Sequence, residues 1–495
     1  MANPTPVHSV SISFQQLTNR ALMNHLSRTL DLFSLQKTMA SYLSGLLCIF
    51  SLFSLFSSIS SLLDNKSTAL TLSLSQFNKN TSSDPWQKLN QLVSASLIRA
   101  KHLKNLQTSV ISKTPLFPHS YGGYSISLRF GTPPQTTSFV MDTGSDLVWF
   151  PCTHSYTCNN CYFRNQNPSN ISTFIPKLSS SSKIVGCENP KCGWLDSSDV
   201  QLRCSDCEPN SKNCSQSCPP YFIIYGSGST AGILLSETLD FPEKKVPDFI
   251  VGCSIFSEYQ PSGIAGFGRG PSSLPSQLRL KKFSYCLLSH SFDDTNESSL
   301  LILDGNHKTA GVSYTPFVKN PAAGRPAFSV YYYIGLRKIT VGGKKVKIPY
   351  SYLSLGSDGN GGTIIDSGST FTFMEKQVFD LVAGEFETQV KYKRALDIEE
   401  LTGLRPCFDI SAEKDVFLPE LVLHFKGGAE IALPLENYYS FLDTGVACLT
   451  VVTEDRSGIN VGPSIILGNY QQQNFYIEYD LENQRLGFGQ QSCGN

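Results

Sequence analysis

The sequence predicts an all-β molecule of two related, β-barrel-like lobes with a cleft between them and a few short helices. Three observations carry that prediction. From Tyr121 onward, short β-branched and aromatic runs such as YSISLRF, TTSFVMD, YFIIYG, GILLSETLDF and DFIVGC alternate with Gly, Pro and Asn turns. The composition, with 31 Phe, 21 Tyr and 37 Gly, favours strands and turns over helical bundles. One segment recurs: Phe139-Val140-Met141-Asp142-Thr143-Gly144-Ser145 returns as Thr363-Ile364-Ile365-Asp366-Ser367-Gly368-Ser369, each an apolar strand ending in Asp-[Ser/Thr]-Gly-Ser. A shorter pair follows, Ile264-Ala265-Gly266 and Ile466-Leu467-Gly468.

With 495 residues, 40% hydrophobic and 16% charged, the chain has material for two cores and is no disordered polyelectrolyte. Lys+Arg 40 against Asp+Glu 40 leaves no basic excess and no nucleic-acid footprint. That balance hides a split. Residues 1–111 carry nine Lys/Arg and three Asp, a net of +6, so the remainder, with 31 basic and 37 acidic residues, has a net of −6. A basic leader is set against an acidic body.

In chain order, residues 1–61 read as an N-terminal extension and signal peptide. The apolar stretch from Tyr42 to Ile59 follows Arg28 and Lys37, with Met39 as a plausible start. A retained signal anchor is the rival, and only then is the membrane a partner; the serines in the stretch weaken it as a span. Residues 62–113 read as a prosegment, Ser-rich and without cysteine, with a helix from Trp86 to Asn105. Its Lys88, Arg99, Lys101 and Lys104, with no acid between them, are expected to cover an acidic cleft until removed. The first lobe is placed at 114–320 and the second at 321–495, divided at the turn-rich Lys319 to Pro326. One helix is expected in the second lobe, Glu375 to Arg394, with Val378, Phe379, Leu381, Val382, Phe386 and Val390 on one packing face.

Of 15 cysteines, Cys48 lies in the apolar leader, which leaves 14, nine of them between Cys152 and Cys218. The pairs Cys158/Cys161 and Cys204/Cys207 have zinc-like spacing, but no His is near and a secreted chain favours disulfides. Spacing does not give the connectivity. Asn65, Asn80, Asn170, Asn213 and Asn296 head glycosylation sequons.

The repeat points to chemistry. Two carboxylates about 3 Å apart cannot both ionise, so the pair shares one proton. Asp142 and Asp366 together can then take a proton from water and give one to a carbonyl oxygen, with no metal, cofactor or covalent intermediate. A glycine after each Asp-[Ser/Thr] permits close backbone approach, and the hydroxyls of Thr143, Ser145, Ser367 and Ser369 can hold the carboxylates. A single copy would read as an ordinary turn; two copies behind matched strands do not. Ser145 is no nucleophile, since no Gly-x-Ser-x-Gly elbow surrounds it, and His154 and His290 receive no role.

On these motifs the chain, from about Pro118 to Cys493, resembles the pepsin-like aspartic proteases and within them the plant nepenthesin-like branch. The resemblance implies the bilobal pepsin-like fold, catalytic roles for Asp142 and Asp366, and supporting roles for Thr143, Gly144, Ser145, Ser367, Gly368, Ser369 and Thr370. Tyr225-Gly226-Ser227-Gly228-Ser229 resembles the hairpin that closes over substrate, with Tyr225 as its tyrosine and Trp149 as the indole bonded to it. Ser227 stands where the branch usually has Asp. The 14 cysteines exceed what the resemblance implies, and Cys286 is a candidate free thiol. It further implies a secreted, monomeric endopeptidase of the cell-wall space or vacuole, made as a zymogen, with peptide substrates and its own prosegment as partners. Two rivals stand beside it: a catalytically silent inhibitor or binding protein, which should lack one aspartate, and a two-carboxylate glycosidase, which should show sugar platforms and no such repeat.

Overall fold

The computed structural model describes residues 70–76, 85–104 and 123–493, apart from 162–170, 196, 206, 208–213, 215, 226–227, 243, 261, 290–297, 306–310, 322–325, 443–444 and 455–460. The apolar leader with Met39 and Cys48, the five sequon asparagines, Gly226, Ser227 and His290 lie outside the described residues.

The elements that position the site begin with β1 (Leu70–Gln76) and α1 (Pro85–Lys104). The first lobe adds β2 (Tyr124–Phe130), β3 (Gln135–Asp142), β4 (Trp149–Pro151), β5 (Tyr221–Tyr225), β6 (Gly228–Phe241), β7 (Lys244–Glu258), β8 (Gly263–Gly266), β9 (Lys282–Cys286) and β10 (Ser298–Leu303). After β11 (Ser313–Pro316), the second contributes β12 (Tyr332–Ile334), β13 (Thr363–Ile365), β14 (Thr372–Met374), α2 (Lys376–Gln389), β15 (Ile465–Leu467), β16 (Phe475–Asp480) and β17 (Arg485–Gln490). The molecule is bilobal and all-β with a few short helices.

Strand alternation works as the sequence suggests. In β2, Ile126, Leu128 and Phe130 are buried while Ser127 and Arg129 face out. Phe130 packs against Phe139, Phe150 and Phe249 at ring-centroid distances of 5.3 to 5.8 Å to anchor the first core.

The internal repeat is a repeat of topology. β3 runs parallel to β8, from Phe139↔Gly263 to Asp142↔Gly266, and β8 meets β4 antiparallel at Ile264↔Trp149. In the second lobe β13 runs parallel to β15, from Thr363↔Ile465 to Ile365↔Leu467, and β15 meets β14 antiparallel at Phe373↔Ile466. Each Asp-bearing strand therefore has the matched Ile-containing strand as its parallel neighbour. One sheet links the halves: β9, from the first lobe, pairs with β16, from the second, over Lys282↔Asp480 to Cys286↔Tyr476.

Three expectations are corrected. The helix expected from Glu375 to Arg394 ends at Gln389, because Val390 is extended and Lys393–Arg394 form a short strand. Leu381 is 39% exposed rather than packed; at about 100° per residue it falls well off the stripe of Val378, Phe379, Val382 and Phe386, and Ala383 takes the buried place. Cys286 is bonded to Cys493, because the end of β9 lies beside the start of β16, and Cys493 follows β17, the partner of β16. Seven disulfides join the 14 described cysteines: Cys152–Cys253, Cys158–Cys161, Cys187–Cys204, Cys192–Cys218, Cys207–Cys214, Cys286–Cys493 and Cys407–Cys448.

The leader carries two elements that touch the lobes. β1 was not anticipated. It lies between β10 and β2, with register Leu70↔Leu303 to Ser75↔Ser298 on one side and Ser75↔Ser125 on the other. Helix α1 starts with Pro85 at its first position, where no intrahelical N–H is needed. It buries Leu89, Leu92, Val93, Ala100 and Leu103, spaced three, four and seven apart, in a cluster with Phe328, Tyr331, Tyr333, Phe371, Phe373 and Tyr470 of the second lobe. Phe371 donates its backbone N–H to Ser96 Oγ at 2.9 Å.

Candidate active site

Asp142 ends β3 and Asp366 follows β13, and the two loops interlock. Ser367 N donates to Thr143 Oγ1 at 2.9 Å, and Thr143 N donates to Ser367 Oγ at 3.1 Å. Ser367 Oγ in turn donates to Met141 O at 3.0 Å, so each loop supplies backbone partners to the other. The carboxylates are held alike. Asp142 accepts from Gly144 N at 2.9 Å and Ser145 Oγ at 2.6 Å; Asp366 accepts from Gly368 N at 3.0 Å and Ser369 Oγ at 2.6 Å.

The glycines are required by approach. A Cβ on Gly144 would stand 2.6 Å from Asp366 Oδ1, and one on Gly368 would overlap Asp142 Oδ1, so each glycine lies against the opposite lobe's carboxylate. Behind the second loop, Asn469 Nδ2 donates to Ser367 O at 3.0 Å, Asn469 N donates to Ser369 O at 2.7 Å, and Tyr470 N donates to the carbonyl of buried Thr370 at 2.9 Å.

Between the carboxylates sits a side chain of the leader. Arg99, on the buried face of α1, donates from Nη2 to Asp142 Oδ1 at 2.7 Å and from Nε to Asp366 Oδ2 at 3.2 Å. All three groups are buried, Arg99 at 7%, Asp142 at 2% and Asp366 at 0% exposure. Burial by itself would discharge the guanidinium, but the two carboxylates outweigh it and keep Arg99 charged. Burial raises Asp142 above its usual range against the opposing pull of Arg99, and the charge of Asp366 adds to the rise. At Asp366 burial acts the same way, yet Arg99 together with Ser369 and Gly368 prevails and holds the carboxyl below its usual range. Sequence reading found the basic stretch; which cation meets the pair depends on helical phase, since Arg99 shares the face of Leu92, Ser96 and Leu103.

The hairpin of β5 and β6 stands over the first loop, its last described pair being Tyr225↔Gly228. Trp149 Nε1 donates to Tyr225 Oη at 2.8 Å, and both rings are buried. Burial, then the nearby charge of Asp142, raises the Tyr225 phenol well above its ordinary value, so its proton stays on. Because phenylalanine keeps the ring and loses only the hydroxyl, Tyr225→Phe is expected to lower kcat/KM less than Tyr225→Ala, the former by roughly tenfold for one lost hydrogen bond. Trp149→Phe should match Tyr225→Phe, and the double variant should cost little more than either. Rate losses that multiply would show that the two residues act independently.

One half-buried carboxyl beside the site escaped the sequence reading. Asp146 follows the first loop and accepts from Gly270 N at 3.0 Å. Gly266, Gly268 and Gly270 all close on it, and a Cβ at any of them would overlap Asp146. The GFGRG run was the available signal. Burial, with a smaller contribution from Asp142, pushes Asp146 up to about 7 despite the Gly270 bond. A carboxyl raised above its unfolded value of 3.8 binds more protons in the folded state, so stability falls as pH rises from about 4 to 7. Thermal denaturation across that window should therefore show a shallower loss of Tm in Asp146→Asn than in the parent; parallel curves would refute this.

Two lobes, each presenting one Asp-[Ser/Thr]-Gly loop to a common cleft, define the pepsin-like aspartic protease class. Residues 124–304 match the family profile described as xylanase inhibitor N-terminal, and residues 331–490 match the one described as xylanase inhibitor C-terminal. The chain is 35% identical over 422 residues to a probable aspartyl protease of Arabidopsis thaliana, covering 75% of this chain and 82% of that one. It is 33% identical over 400 residues to aspartic proteinase nepenthesin-2 of Nepenthes gracilis, covering 79% and 82%. In fold it is similar to edgp, with a TM-score of 0.59 at 20% identity over 86% of this chain and 95% of that one. It is also similar to basic 7S globulin from soybean, with a TM-score of 0.57 at 16% identity over 86% and 98%. The chain belongs to the plant pepsin-like aspartic protease family.

Proposed function

We propose that the protein is an aspartic endopeptidase, made as a latent precursor and active at acid pH. The observation that carries the reading is a single arrangement: two buried carboxylates on equivalent loops, hydrogen-bonded alike, with the guanidinium of Arg99 between them. With α1 gone, repulsion leaves the pair of Asp142 and Asp366 sharing one proton. The ionised member takes a proton from water as that water attacks the scissile carbonyl, and the protonated member gives its own to the carbonyl oxygen. Ser145 and Ser369 favour the ionised forms by donating to them. An extended peptide would lie in the cleft under the Tyr225 hairpin.

Latency follows from the same contacts. The Arg99 pairing lowers Asp366, so its hold is present above the ordinary carboxylate range and is lost as pH falls through the lowered value. Asp142, raised, takes its proton first and gives up the shorter of the two ion pairs. The disulfides and the apolar leader support secretion as a monomer to the cell-wall space or vacuole.

A second reading, a catalytically silent inhibitor or binding protein, takes its support from the description of the matched family profile. Retention of both aspartates with their full donor sets favours the first. Incubating the full chain at neutral and acid pH with an unbiased peptide mixture separates them: acid-dependent internal cleavage is expected, and intact peptides at every pH would favour the binding protein.

A further inference from the structure

Beneath the Thr143/Ser367 interlock lies a second set of polar contacts that crosses between the lobes. Tyr285 on β9 and Tyr479 on β16 are 1% and 0% exposed. Their rings belong to an aromatic cluster in which Phe283 stacks on Tyr479 at 4.3 Å and Tyr332 meets it edge-on at 4.8 Å. Phenylalanine would serve that packing as well. The hydroxyls need another account, since a buried hydroxyl without a partner opposes folding.

Each hydroxyl reaches the opposite lobe. Tyr285, from the first lobe, donates to Gln472 Oε1 at 2.6 Å. Gln472 Nε2 donates to Leu467 O at 3.0 Å, and that carbonyl also receives the backbone N–H of Asp366 at 3.0 Å. Tyr479, from the second lobe, lies 3.1 Å from the Tyr285 hydroxyl. Since the Tyr285 proton is committed to Gln472, Tyr479 donates to Tyr285. The result is one directional chain: Tyr479 to Tyr285 to Gln472 to the carbonyl that holds Asp366. In such chains each bond polarises the next. Burial raises both phenols, so both remain donors at any pH at which the protein is folded.

We propose that Tyr285 and Tyr479 are positioning residues that form a clamp from the first lobe to the loop of Asp366 and fix its separation from the loop of Asp142. Touching neither carboxylate, they act through Gln472 and Leu467. The inference rests on the aspartic-endopeptidase reading, for which that separation sets how the pair shares its proton.

The test is the full chain carrying Tyr285→Phe, Tyr479→Phe or both, acid-activated like the parent and assayed for kcat, KM, the pH profile of kcat and Tm. The clamp predicts a kcat loss of roughly three- to tenfold for either change, as for one lost hydrogen bond. It also predicts an unchanged KM, a displaced limb in the pH profile, and a double variant no slower than the singles, because the chain is broken once. Gln472→Leu breaks it at the other end and should reproduce the loss if a tyrosine variant fails to fold. Variants with a lowered Tm but the parent's kcat and pH profile would make the hydroxyls purely structural and overturn the clamp. A parent without any cleavage would overturn the endopeptidase reading and the clamp with it, whereas an active parent with indifferent variants overturns the clamp alone.

Discussion

Arg99→Ala in the full chain is expected to activate faster and at higher pH than the parent. The guanidinium makes two buried, charge-assisted bonds, each worth on the order of 1.5–3 kcal/mol. Losing both weakens the closed state by about 3 kcal/mol, or roughly a hundredfold in the open population. The carboxylates it leaves behind are not stranded as two charges, because the pair can share a proton. Leu89, Leu92, Val93, Ala100 and Leu103 still hold α1 in its groove, so some latency should persist. Arg99→Lys keeps the charge but not the fork that spans both carboxylates, and should fall between. Activation half-times over a pH series measure this directly. A variant that activates with the parent's half-time at every pH would show that α1 is held by its apolar face alone.

Asp142→Asn or Asp366→Asn, with the leader removed by a separate protease, should lower kcat by at least about a thousandfold while leaving the fold intact. Asparagine keeps the shape and can still accept from Gly144 and Ser145, or from Gly368 and Ser369, so the loops retain their backbone bonds. What it removes is the proton shared across the cleft. Equal Tm values confirm intact folding, and a residual rate above a few percent in either purified variant would take the pair out of the mechanism.

The parts of this site that were legible in the sequence are those written locally. Asp142-Thr143-Gly144-Ser145 and its second copy need glycine because the opposite carboxylate lies against it, and they need hydroxyls because those hold the carboxylates. Ile264-Ala265-Gly266 and Ile466-Leu467-Gly468 were recognisable as a pair, because each is the parallel neighbour of an Asp-bearing strand. What stayed hidden depends on distant partners. The alternation in LTLSLSQ was present, but β1 is a strand because β10, more than two hundred residues on, gives it a register. Arg99 was one of four cations until helical phase selected it. Cys286 finds Cys493 only once the sheet between the lobes is assembled. Asp146 was masked by the motif beside it, although the three glycines that enclose it were in plain view.

The most direct test of the central claim, that Asp142 and Asp366 act together on a peptide bond once Arg99 has left, is an active-site titration. The acid-activated protein is titrated with a statine-type compound, whose hydroxyl occupies the position of the attacking water, and cleavage of a fluorogenic peptide is followed. One equivalent should abolish cleavage in the parent, and the full-length chain at neutral pH, with Arg99 in place, should bind none. Cleavage that persists at saturating compound, or equal binding by latent and activated forms, would contradict the account.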